Sequence, residues 1–120
     1  MNIIDSHIHI CRCINGFGNS GEMQAIGGGY ASYADGTIFQ MIPEWLGEYD
    51  VTPEAVLKVM DEAGVSKAVM LQGNFLGPQN LYTSEAAKKY PDRLAAAATY
   101  YPFFTNDASL IKQLFDDLGT

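Results

Sequence analysis

The chain opens on Ile3, Ile4, Ile8 and Ile10, β-branched residues that alternate with polar neighbours over the first ten positions. A period of two predicts a strand with Asp5, His7 and His9 on one face and Ile4, Ser6, Ile8 and Ile10 on the other. Residues 14–50 then carry glycine at 16, 18, 21, 27, 28, 29 and 36 and hold no sustained helical period. The stretch reads as one long mobile loop, and loops beyond about 12–15 residues inside a domain are usually lids or binding loops, or else disordered. Its aromatics, Tyr30, Tyr33, Phe39, Trp45 and Tyr49, suit either covering a small-molecule pocket or packing the loop onto the body.

Regularity returns at Thr52. That residue is a good helix N-cap, Pro53 suits the first helical position, and Glu54 favours the positive end of the helix dipole. Val56, Val59, Met60 and Ala63 recur at three- and four-residue spacing as the buried stripe, with Lys58, Asp61 and Glu62 outside. Gly64 stops the helix as a left-handed cap. Residues 68–71 form a short continuous apolar run, as expected for a parallel strand buried on both faces.

The plan then repeats. A loop over residues 75–78 leads to a helix over 80–90, stopped by Pro91. Residues 94–101 predict a third strand, weakened by four alanines and closed by Pro102. Thr105 or Asn106 caps a third helix whose face is Leu110, Ile111, Leu114, Phe115 and Leu118, with Gly119 ending it. Strands alternating with helices imply an α/β fold with a parallel sheet and right-handed crossovers. Three such units leave open sheet edges, so the expected partners are copies of the same chain in a homo-oligomer or the remainder of a barrel.

With 120 residues there is room for a single domain, here spanning residues 1–120, and for an ordinary core. An apolar share of 48% argues against disorder. A net charge of −7 with no basic cluster opposes nucleic acid and anionic membrane as partners. Apolar runs are too short to span a bilayer and no secretory signal is present, so the cytoplasm is the expected compartment. Cys11 and Cys13 are too close in sequence for an easy disulfide and fit reducing conditions.

The candidate chemistry sits in the first strand. Two histidines two apart on one face bring their rings side by side, able to share one ion at about 2.0–2.1 Å from each nitrogen. Asp5 stands one step earlier as a further ligand or as a partner that orients one. Imidazole suits zinc, iron, copper or nickel, and a carboxylate shifts the balance towards zinc, iron or manganese. A strand running on beyond Ile10 would add Cys11 and Cys13 to the same row; a strand ending near Ile10 makes them small apolar residues at the base of a loop, the reading favoured here. Gly16-Phe17-Gly18-Asn19-Ser20-Gly21 matches a dinucleotide fingerprint in spelling only, because more glycines follow too soon for the long helix it requires. Gln72, Asn74, Tyr100 and Tyr101 fall at the C-terminal strand ends, as substrate contacts or as loop anchors.

Asp5-Ser6-His7-Ile8-His9 after Ile3-Ile4 resembles the first-strand motif of the amidohydrolase superfamily. The run from Asp35-Gly36-Thr37 through Ile42-Pro43-Glu44 resembles its amidohydrolase-related (amidohydrolase 2) branch, which also holds metal-dependent decarboxylases. The resemblance implies the N-terminal part of a TIM-like (β/α)₈ barrel: three βα units with a long loop after the first strand. It implies a metal-dependent hydrolase, or within the same class a non-oxidative decarboxylase, acting on a small-molecule substrate. The metal, zinc foremost, would be bound by His7 and His9 with Asp5 beside them. The family takes further ligands and its general base from later strands, and past His9 this chain has no histidine. The alternative is a non-catalytic or truncated α/β module that self-associates and keeps the metal site as a relic.

Overall fold

The structure, a computed structural model, describes residues 1–73, 75–103 and 106–118. In chain order its elements are β1 (Ile4–Ile8), β2 (Asn15–Gly18), β3 (Gly21–Gly27), β4 (Tyr30–Tyr33), β5 (Ile38–Gln40), α1 (Pro53–Ala63), β6 (Lys67–Met70), α2 (Asn80–Lys89), β7 (Leu94–Ala96) and α3 (Ala108–Leu118). Two sheets result. One is parallel, in the order β1-β6-β7; the other is an antiparallel meander, β2-β3-β4-β5.

The parallel sheet and its helices follow the expected βα repeat. Thr52 Oγ1 accepts the backbone N–H of Ala55 at 3.1 Å, Pro53 opens α1, and Gly64 closes it at φ +71. The buried side of α1 is narrower than the sequence stripe implies: Met60 is buried and Ala63 exposed. β7 is shorter than expected, three residues instead of 94–101. Its alanines offer few of the branched contacts that hold a strand. Ahead of α3, Asp107 accepts the Ser109 N–H at 2.9 Å and takes the capping position expected of Asn106. Thr105 and Gly119, the other expected helix ends, lie outside the described residues.

The expectation for residues 14–50 needs correcting, because residues 15–40 fold into the four-stranded meander and not into an irregular loop. The glycines that suggested a loop serve the turns. Gly28 and Gly29, both at positive φ, form the two-residue link across the Gly27↔Tyr30 pair, the geometry that tight hairpins demand. Gly16 serves a close approach instead: a Cβ there would lie 1.5 Å from the Phe75 carbonyl oxygen, while the Phe17 N–H donates to that oxygen at 3.0 Å. The glycine-rich motif of residues 16–21 is thus a β-hairpin.

Burial divides between two clusters. Ile10, Met60, Ala68, Met70, Ala86 and Leu94 pack the parallel sheet against α1 and α2. Cys11, Ile14, Met23, Ala31 and Val51 pack the meander against the segment that leads into α1, and Val56 touches both clusters. The seam between them runs past the C-terminal end of β1, where the histidines stand.

Candidate metal centre

His7 and His9 converge. Their Nε2 atoms lie 3.1 Å apart, with the ring centroids 4.9 Å apart and the planes nearly perpendicular, and both residues are exposed. The local backbone is not the uninterrupted alternation the sequence suggests. Asp5 pairs with Ala68 and Ile8 with Met70, so three steps along β1 match two along β6, a bulge. Asp5 and Ile8 therefore both align with the buried Ala68/Met70 row, where strict alternation would have set them on opposite faces.

This alters the place expected for Asp5. Its Oδ1 accepts the backbone N–H of His7 at 3.0 Å, a local turn across the bulge that holds the His7 backbone. Among the described residues, no group of three or more His, Cys, Asp or Glu side chains comes together around one point. The histidines form a pair, with Asp5 behind one of them.

Across the sheet, His9 Nδ1 lies 3.0 Å from the carbonyl oxygen of Leu71, one residue past β6. A carbonyl can only accept, so Nδ1 carries the proton and, in the neutral ring, the Nε2 lone pair faces His7. This Nδ1–H to carbonyl bond is a common way of orienting a metal-binding imidazole. Sequence reading did not find Leu71, since a backbone carbonyl leaves no signature.

Cys11 is buried in the second cluster and its backbone bridges to Val51. Burial is the largest influence on its thiol, which is pushed up to about 11; the Val51 backbone counteracts in part and Asp50 and Cys13 add to the rise. A thiol so held stays protonated at neutral pH and is a poor metal ligand. Gln72 is an anchor: its Oε1 accepts the Gln79 N–H at 2.5 Å and its Nε2 donates to Asn80 Oδ1 and the Ala97 carbonyl, both at 2.8 Å. The ring of Tyr100 meets Phe115 edge-on, and Asn74 lies outside the described residues.

A cavity of about 290 Å³ opens beside the histidines, walled by β1, by Ile14, by Met41, Ile42 and Leu46, and by Val51 and Val56. Aliphatic residues of the insert, not its aromatics, form that wall. Tyr33 stacks on Phe39 at 4.9 Å, while Trp45 and Tyr49 are exposed. A larger groove of about 670 Å³ lies at the start of α2, but its charged groups satisfy one another: Arg12 pairs with Glu85 at 3.4 Å and covers the ring of Tyr82. Its walls include neither histidine.

No protein-family model matches the chain, and no curated protein does. Among solved structures, the chain is similar to a probable 2-pyrone-4,6-dicarboxylic acid hydrolase from Acinetobacter baumannii, crystallised with citric acid bound. The superposition has a TM-score of 0.51 at 23% identity and covers 95% of this chain. It covers 35% of the hydrolase, so this chain spans about a third of that protein's length. The likeness is one of fold; the α/β arrangement here holds one parallel and one antiparallel sheet.

Proposed function

We propose that His7 and His9 are two ligands of a divalent-metal centre, zinc foremost, in a hydrolase of the amidohydrolase type that acts on a small molecule. This chain supplies the first three βα units of the barrel that carries it. The observation behind the reading is the 3.1 Å separation of the two Nε2 atoms at the C-terminal end of a parallel strand. Two nitrogens at that distance fit one shared ion at about 2.0–2.1 Å from each. The Leu71 carbonyl strengthens the fit by holding the proton on Nδ1, so that His9 Nε2 presents its lone pair on the side shared with His7 Nε2. Strand C-terminal ends are also where such folds build their sites.

When bound, a divalent metal polarises a carbonyl or lowers the pKa of a bound water to about 7. The chain's own residues position and shelter. The Leu71 carbonyl fixes the His9 ring, the Asp5 carboxylate fixes the His7 backbone, and the apolar wall beside the pair keeps water off one side of the reacting group. The remaining ligands and a general base would come from the parts of the barrel beyond this chain. The solved hydrolase of similar fold favours hydrolysis over decarboxylation.

The test is elemental analysis of protein purified without chelator or histidine tag. About one zinc per chain or per pair of chains is expected, and its loss in the His7→Ala/His9→Ala double variant. A folded wild-type protein that takes up no zinc, iron or manganese on reconstitution would overturn the reading.

A second reading, an α/β module that works by self-association, is favoured by one observation. Among the described residues β1 is an edge strand, and Ile3 just before it and Ile4 at its start are exposed at 45% and 59%. Metal would then be weakly held or absent, and the mass in solution would exceed that of one chain.

A further inference from the structure

We propose that the cavity beside His7 and His9 binds the uncharged apolar part of a small-molecule ligand, a branched aliphatic group or a ring. Resting on the reading of the histidine pair as the reacting centre, this makes the substrate a molecule whose apolar group adjoins the bond facing the two imidazoles.

The cavity is built by both halves of the structure. Ile10, Val51 and Val56 come from the strand-and-helix side, and Ile14, Ile42 and Leu46 from the insert. No Lys, Arg, Asp or Glu among the described residues lines it. Apart from the imidazoles, the one ionisable side chain among the described lining residues is the buried Cys11 thiol.

A carboxylate pressed against the aliphatic walls, away from the two imidazoles, would lose its hydration with no Lys or Arg among the described lining residues to pair with, a loss that burial does not repay. An apolar group gains about 25 cal/mol for each Å² removed from water. The volume, about 290 Å³, gives ample room for such a group, since an apolar cavity of about 150 Å³ already takes benzene.

Indole and citrate titrated into the full chain, followed by ligand-observed NMR and calorimetry, decide the matter. Indole binds saturably and shifts the methyl signals of Ile14, Ile42 and Leu46, while citrate leaves those signals unmoved. Leu46→Trp and Val56→Phe, which fill the space, weaken indole binding by about tenfold or more, as expected for lost apolar contact. The methyl shifts need no variant, so the outcome does not hang on either substitution folding. Citrate that moves these methyl groups more than indole does, or indole binding that moves none of them, overturns the proposal. Metal content of the same preparation separates the two readings. Indole binding without metal keeps the cavity site and removes the metal centre; zinc uptake without indole binding does the reverse.

Discussion

The proton on His9 Nδ1 is committed to the Leu71 carbonyl, and that single bond turns an exposed imidazole into an oriented one. Cys11, two residues on, has the opposite fate: desolvated and facing apolar neighbours, it keeps its proton. In the unfolded chain the same thiol ionises near 9.0, so the folded state binds more protons between there and about 11, and stability falls as pH rises through that window. Alkylation reports the burial directly. At about pH 8, iodoacetamide should label Cys11 at least about tenfold more slowly in the folded protein than in urea, read by peptide mass spectrometry. Equal rates would mean that the thiol is open to solvent and that the cavity wall is misplaced.

Among the elements, α1 and α2 are tied together through Glu54. Its Oε1 accepts from Lys89 Nζ at 2.6 Å and from the Tyr90 hydroxyl at 3.0 Å. The Lys89 bond is the main reason that the Glu54 carboxyl is held below its usual 4.5, and the same bond raises Lys89 above its usual 10.5. A depressed carboxyl adds stability above its unfolded value that is lost as pH falls through the folded one; a raised amine adds stability lost as pH climbs past its folded value. Glu54→Gln should therefore lose less stability than wild type between about pH 6 and about pH 3, measured as urea midpoints. The pair is solvent-exposed, so the change is small; an unaltered acid slope would show that the helices are not coupled through this bond. Gln72 plays the matching part at the other end of α2, joining the loop after β6 to the loop after β7.

Over the whole molecule, the parallel sheet ends at β1 on one side and β7 on the other, with both strands short of a second neighbour among the described residues. Unpaired edges with exposed isoleucines are surfaces that another strand can extend. Under the self-association reading, Ile4→Lys should lower the mass in solution towards a single chain, with the circular dichroism unchanged, because a charge on an edge strand blocks strand addition. An unchanged sedimentation coefficient would remove the β1 edge from consideration. No helix among the described residues is long and apolar enough to cross a membrane.

What the chain determines locally was readable from its residues. The Thr52-Pro53 start and Gly64 stop of α1, the alternation of strands with helices, and the pairing of His7 with His9 all depend on neighbours a few positions apart. The tertiary structure decided the rest, for reasons of distance along the chain. Glycines that look like loop are turns once their flanking strands find one another, and Gly16 is needed because Phe75 crosses it. The bulge that Asp5 spans in bonding to the His7 backbone exists because β1 must fit the register of β6, and His9 is oriented by a carbonyl 62 residues away. The apolar cavity belongs to no segment. It exists where the insert closes over β1 and α1, and only the folded chain brings those walls together.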